Sequence, residues 1–348
     1  MPSYRPDDAN LSPDALAHLA TPEGRHLREK IAALLATRPQ QQLTVADVAA
    51  LRRSIPADLL HAALTLGSIQ KKAALKFPAL AATGYVYATP ESLEQASDQL
   101  AAAHKASRFA AASPQHILDL CAGIGGDALA LAAIAPTTAI DLSKTRTTCL
   151  ALNAQSLPPT NLLEILTTDV TVPSLFTIPN SLFHIDPARR SAGRRSPKYE
   201  DLLPGPDFLA TLLQTLPGGA IKLSPAVDFD SLPPGHLELL ALRGTVTQAI
   251  LYTGSLAQQF PPNTRTATIL SPHAPPFSFT APAQESQSLG PLPQPGNYLY
   301  ELDGALTRAH LAAPFAERHT LQPLTPDAGY LSSPTLVTHP ALTAFQIT

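Results

Sequence analysis

The 348-residue chain carries 24 Lys and Arg against 27 Asp and Glu, a formal net charge of −3, so no global field draws it onto nucleic acid and any such partner needs a local basic surface. Its length leaves room for an α/β core with one or two further modules. Two cysteines without a Cys-x-x-Cys pair exclude a disulfide framework and give structural zinc no support, which points to a reducing, cytoplasmic setting.

Residues 1–112 are expected to form an N-terminal helical domain. Arg5, Asp7, Asp8, Asp14, Glu23 and Arg25 break up the first stretch, so no signal peptide is predicted. Helical periodicity runs over Leu16 to Leu19, Arg25 to Ala36, Thr44 to Arg53, Asp58 to Phe77 and Pro90 to Ala112. Ser12 before Pro13, Thr21 before Pro22, Thr44, and Thr89 before Pro90 are helix-start signals, since a hydroxyl caps free amides and proline is preset for a first turn. GYVYATP, 84–90, reads as a short strand or loop between helices.

From Pro114 short apolar runs alternate with helical segments, which predicts a parallel, doubly wound sheet over 113–272. Strands are expected at 116–120, 137–141, 162–166, 181–185, 219–223, 237–242, 246–252 and 265–270, with helices near 126–135, 143–156 and 206–216. The last two strands have no helix between them and are expected to pair as an antiparallel hairpin. Residues 273–297, rich in Pro, Ser and Gln, read as a linker. Residues 298–348 read as a partial C-terminal module: a strand, a turn at Asp303 and Gly304, and a helix. No stretch is long and apolar enough to predict a membrane span.

Residues 115–142 carry the strongest site signal: a strand, a glycine turn, a helix and a second strand ending in an acid, a unit that binds an adenosine-bearing cofactor. Gly123, Gly125 and Gly126 let the backbone turn and approach a ligand, and Cys121 and Asp127 lie in the same loop. Asp141, 18 residues after Gly123, stands where a carboxylate receives both ribose hydroxyls. GIGGDA fits the dinucleotide fingerprint, yet Asp119, four residues before Gly123, makes D-x-x-x-G-x-G, the first motif of class I S-adenosylmethionine methyltransferases. That acid, expected to hold the methionine amino group, favours a methyl donor over nicotinamide. Asp169, closing the third strand, is the candidate reader of the adenine amino group.

The second signal is FHIDPARRSAGRRSPKYEDL, 183–202. An acid and proline at the carboxyl edge of a parallel sheet lie where α/β ligands bind. Asp186 can accept a hydrogen bond from an attacking amine and aim its lone pair, assisted by the Pro187 carbonyl; proximity and orientation then supply most of the acceleration. Arg189, Arg190, Arg194 and Arg195 with Lys198 make a basic loop suited to substrate phosphates, or a solvated face without a ligand. Lys71, Lys72, Lys76, Lys105 and Arg108 extend that patch if the helices fold over the pocket. Lys222 and Ser224, in IKLSP, are expected to wall the substrate pocket. Cys121 and Cys149 are away from this motif, which disfavours covalent catalysis, and no metal ligand set is visible.

Taken together, KKAALKFP, TPESLEQASDQLAAAHKASRFA, DLCAGIGGDALALA, IDPARRSAGRR, IKLSPAVDF and YLYELDGALTRA resemble the bacterial class I methyltransferases with a C-terminal THUMP-like domain, whose core is similar to the RNA cap guanine-N2 (trimethylguanosine synthase) group. The resemblance implies a Rossmann-like core with a seven-stranded, mostly parallel sheet, S-adenosylmethionine as donor, and RNA as substrate with an exocyclic guanine amine as the favoured acceptor. It implies that Asp119, Gly123, Gly125, Asp141 and Asp169 bind the donor and that Asp186 and Pro187 flank the acceptor. Where the cap enzymes carry serine-proline-proline-tryptophan, this chain reads Asp186, Pro187, Ala188 and Arg189, without the stacking aromatic, and it stops at FQIT, where relatives continue into the THUMP-like module. A small nucleotide or metabolite as acceptor, and a non-catalytic nucleoside-binding protein, are the alternatives.

Overall fold

A computed structural model describes residues 11–38, 43–176, 178–189, 196–283, 294–324 and 329–348, which fall into two units, Met1–Pro179 and Asn180–Thr348. In the first unit the hydroxyl start signals act as read. Ser12 caps α1 (Pro13–Ala20), Thr21 caps α2 (Pro22–Ala36), Thr44 caps α3 (Val45–Leu51) and Thr89 caps α6 (Pro90–Gln95). Between them lie α4 (Ala57–Lys76) and α5 (Pro78–Ala82), and Asp98 caps α7 (Gln99–Ala112).

Three parallel strands follow. β1 (His116–Leu120) pairs with β2 (Thr137–Asp141), which pairs with β3 (Leu163–Thr167). The connections are α8 (Gly126–Ala132) and α9 (Lys144–Ser156). Residues 85–89 take no regular structure; instead Asn153 of α9 accepts from the Tyr87 amide at 2.9 Å and donates to the Tyr87 and Ile124 carbonyls, each at 3.0 Å. Leu16, Leu19, Ile31, Leu60 and Leu66 share one core with Ile124 of the glycine loop and with Cys149 and Leu152 of α9. The core of the N-terminal helices thus continues into the glycine loop and α9.

In the second unit β4 (Ser181–Ile185) runs parallel to β7 (Gly218–Leu223), and every residue of both is buried. Between them β5 (Ala188–Arg189) pairs antiparallel with β6 (Leu202–Leu203), ahead of α10 (Pro206–Thr215). The sheet continues through β8 (His236–Leu242), β9 (Thr245–Gly254), β10 (Thr264–Ser271) and β11 (Ala274–Pro282) in the order β4-β7-β9-β8-β10-β11.

Two expectations are corrected here. The hairpin joins β8 to β9, not β9 to β10: Arg243 and Gly244, at φ +53 and +76, form a two-residue turn with both centres left-handed, the geometry that suits twisted strands. With one edge of β8 taken by β9, β10 enters on the other edge, parallel to it. Ala274–Pro282, read as linker, is the antiparallel edge strand β11. Prolines that would break an inner ladder are tolerated at an edge, and Thr266–Thr280 and Thr268–Ser278 hydroxyl pairs, each at 2.7 Å, hold its register. β10 and β11 extend the sheet beyond the seven strands of the resemblance.

β12 (Tyr298–Leu302), β13 (Gln322–Pro323), β14 (Tyr330–Ser333) and β15 (Leu342–Gln346) form a separate antiparallel sheet, order β13-β14-β12-β15. Asp303 caps α11 (Gly304–Arg308), and α12 (Ala312–Arg318) follows. Crossovers between parallel strands normally carry a helix. The β7–β8 connection has only the short turn Phe229–Ser231, and α11 packs on β8, β9 and β10 instead. No helix among the described residues is long and apolar enough to cross a membrane.

Candidate functional site

The first unit builds the glycine loop between β1 and α8. Cys121, Gly123 and Gly125 adopt φ +61, +58 and +94, so three left-handed residues fold the chain back within one turn. Asp141, at the end of β2, closes that turn: its Oδ2 accepts from the Gly123 amide at 2.9 Å and its Oδ1 from the Ser143 amide at 2.8 Å. A carboxylate oxygen can accept more than one hydrogen bond, so a carboxylate that shapes the loop has the chemistry to accept a diol as well.

The three glycines differ in what surrounds them. A Cβ on Gly123 would meet nothing within 4 Å, whereas one on Gly125 would lie 2.2 Å from Leu150 Cδ1 and one on Gly126 would lie 2.9 Å from the Ser97 carbonyl. Gly123 therefore faces open space and the other two face packed neighbours. Asp119 is buried at the end of β1, 1% exposed. The open cradle at Gly123 and the acceptor oxygens of Asp141 fit a nucleoside-bearing cofactor. Asp169 lies past the end of β3, exposed, with Oδ1 accepting from the Thr171 amide at 2.9 Å and hydroxyl at 2.8 Å; its other oxygen is the one that can meet a base.

Two expected roles change. Asp127 does not face the open side of the loop: Lys105 Nζ lies 2.6 Å from its Oδ1 and the Ser97 hydroxyl donates to its Oδ2 at 2.6 Å. Burial strips water from both groups, and the attraction between carboxylate and ammonium offsets that cost. Lys105, 1% exposed, is accordingly absent from any basic surface. Lys72 pairs with Glu94 at 3.0 Å, and Lys76 donates to the Leu93 and Glu94 carbonyls at 2.7 and 3.0 Å. Of the helical cations read as an extension of the phosphate-binding patch, Lys72, Lys76 and Lys105 are engaged locally.

In the second unit the parallel register of β4 and β7, Ile185 beside Ile221, sets Asp186 next to Lys222. Lys222 donates to Asp186 Oδ2 at 2.6 Å, with side-chain exposures of 6% and 24%. The lysine is buried and the carboxylate reaches solvent. Two residues read separately, one catalytic and one lining, are thus a single ion pair at the carboxyl edge of the strands. Pro187 is buried behind it, and Ser224 accepts from the Ala226 amide at 3.2 Å, which shapes the loop after β7. Arg190, Arg194, Arg195 and the Arg189 side chain lie outside the described residues. Tyr199, just past that loop, has its phenol pKa raised by burial.

Two features gave no motif. Leu142, half exposed directly after Asp141, offers an apolar surface beside the ribose-type acid; an exposed leucine following a strand-end carboxylate is the signal that could have found it. Arg308 of α11 donates to the Pro225 and Val227 carbonyls at 2.5 and 2.6 Å and stacks 4.2 Å over the Phe229 ring. Burial lowers its pKa, and Asp228 opposes that shift. This clamp joins residues about 80 positions apart in the chain and has no local signature. Among the described residues no group of three His, Cys, Asp or Glu side chains could hold a metal ion.

The chain is 30% identical over 267 residues, 74% of its length and 68% of the relative's, to an uncharacterized S-adenosylmethionine-dependent methyltransferase of Mycobacterium tuberculosis strain CDC 1551 / Oshkosh, and equally to the one in strain ATCC 25618 / H37Rv. Its fold matches the crystal structure of a candidate methyltransferase from Porphyromonas gingivalis W83 with a TM-score of 0.67 at 26% identity, over 82% of this chain and 73% of that one. No protein-family model matches. The core is therefore the Rossmann-like class I methyltransferase fold, and S-adenosylmethionine is the cofactor. The chain belongs to the S-adenosylmethionine-dependent methyltransferases.

Proposed function

We propose that the enzyme N-methylates a nucleobase of RNA, with an exocyclic guanine amine as acceptor, by direct in-line transfer. The observation that carries this reading is the Asp186–Lys222 pair, 2.6 Å, at the end of β4 with Pro187 beside it. When bound, S-adenosylmethionine would supply an electrophilic methyl on its sulfonium, from which the neutral thioether S-adenosylhomocysteine leaves, while the proton lost by the amine passes to solvent. Asp186 accepts a hydrogen bond from the attacking amine and the Pro187 carbonyl a second, which fixes the lone pair toward the methyl. Lys222 keeps the carboxylate in place. Nothing is required of a cysteine nucleophile. Asp119, Gly123, Asp141 and Asp169 would hold the donor, with the apolar Leu142 beside Asp141, and Arg189, Arg190, Arg194 and Arg195 would meet phosphates. A base presented this way has to leave its stack.

A small nucleotide is the second reading, favoured by one observation: Lys72, Lys76 and Lys105 are engaged by Glu94, backbone carbonyls and Asp127, which removes much of the basic surface an RNA chain would use. The test is transfer of labelled methyl to total RNA and to a nucleotide mixture, by the native enzyme and by Asp186→Ala. Label entering RNA, and lost by at least about a hundredfold in the variant as expected for a positioned polar group, supports the proposal. Label entering only nucleotides selects the second reading. Equal transfer by Asp186→Ala overturns the role of that carboxylate.

A further inference from the structure

We propose that Lys105 is a positioning residue for the methyl donor, acting through Asp127 with Ser97 as the bridging hydroxyl. Lys105 Nζ lies 2.6 Å from Asp127 Oδ1 and donates to the Ser97 hydroxyl at 3.0 Å, and that hydroxyl donates to Asp127 Oδ2 at 2.6 Å. All three residues are buried. Asp127 is two residues past Gly125 and four past Gly123, so the group grips the far end of the loop that Asp141 grips at its near end. A third attachment reinforces it: Asn153 donates to the Ile124 carbonyl at 3.0 Å and holds Tyr87 as well. The close approach of the Ser97 backbone to Gly126 leaves no room for a Cβ there.

A buried ion pair is a weak source of net stability, since desolvation offsets most of the attraction. Its strength is geometric: one ion pair and two hydrogen bonds tie the three buried side chains together and restrict how they can be arranged. Here the arrangement fixes the loop that faces the open space at Gly123. The helices preceding β1 are in this view the back wall of the donor site, and their lysine serves the donor without touching it.

The inference rests on the reading that Gly123 and Asp141 hold the donor. The experiment is calorimetric titration of the full chain with S-adenosylhomocysteine, alongside amide hydrogen exchange of the ligand-free protein, for Ser97→Ala, Lys105→Met/Asp127→Leu and Asp141→Ala. Leu331→Val, buried in β14 of the separate C-terminal sheet, is the control for a general loss of stability. The expected result is a rise in Kd of about tenfold or more in the Lys105/Asp127 double variant, equivalent to at least about 1.4 kcal/mol, a smaller rise in Ser97→Ala, and faster exchange confined to residues 121–128. Leu331→Val should leave Kd unchanged. If the double variant fails to fold, Ser97→Ala with the exchange map decides: Kd within twofold of native and unchanged exchange at 121–128 overturns the proposal. If Asp141→Ala leaves Kd unchanged, the donor-site reading fails and this inference with it; if Asp141→Ala weakens binding and the latch variants do not, the inference alone fails.

Discussion

Gly123 and Gly125 are two positions apart, both left-handed, and answer to different demands. Alanine at either pays the left-handed penalty of about 1–2 kcal/mol. At Gly125 the new methyl would also strike Leu150 Cδ1 at 2.2 Å, whereas at Gly123 it would meet nothing within 4 Å. Gly123→Ala should therefore melt only a few degrees below native, by about 2–4 °C per kcal/mol, while losing tenfold or more in S-adenosylhomocysteine affinity. Gly125→Ala should lose stability first. Thermal melts beside calorimetry separate the two, and undiminished affinity in Gly123→Ala would remove that residue from the donor site. Spacing made the loop legible, since acid, glycines and distal acid are all local. The fate of Asp127 was not. Helical periodicity shows that one face of α7 is buried, but a lysine on that face reads as solvated until its buried carboxylate is known, and that partner is 22 residues downstream.

The eight strands read over 113–272 stand within two residues of their positions, because each is a short apolar run between breakers, whereas β5, β6, β11, β13 and β14 gave no such run. Strand partners were not legible. The Arg243–Gly244 turn lacks the Asn-Gly signature that announces a hairpin, and that one turn decides where β10 goes. The proline run at 273–282 misled for a related reason: proline argues against an inner strand and says nothing against an edge. Arg308 illustrates the same limit in α11, an element correctly foreseen whose role depends on what it covers. Its fork holds the Pro225 and Val227 carbonyls and its plane stacks on Phe229, a combination that an ammonium cannot reproduce. Arg308→Lys should speed amide exchange over residues 225–232 at least tenfold while leaving β4 unchanged, as hydrogen-exchange mass spectrometry would register. Uniform exchange between native and variant would mean that the turn stands without the clamp.

At the scale of the whole second unit, stability should depend on pH through the aromatic cluster around Phe315. His319 and His339 have ring centroids 4.6 Å apart and both pack on the Phe315 ring, with Phe277 against His339. Burial lowers both imidazole pKa values, Arg318 adding to the shift at His319 and His319 to that at His339. Below the ordinary value of 6.5, the unfolded chain binds protons that the folded pair resists, so stability present above that pH is lost as the pH falls. Urea midpoints at about pH 7.5 and about pH 5.5 should differ in native protein and converge in His319→Gln/His339→Phe; a native midpoint that ignores pH would show that the pair titrates freely when folded. The packing of α11 on β8, β9 and β10 has a further consequence, which concerns synthesis. The last strand of that sheet is complete at Pro282, but the apolar cover for its middle strands, Ala305, Leu306 and Ala309, is translated only later. On the ribosome these strands wait with one face open until residue 309 has emerged, and in that interval a nascent chain would need a chaperone.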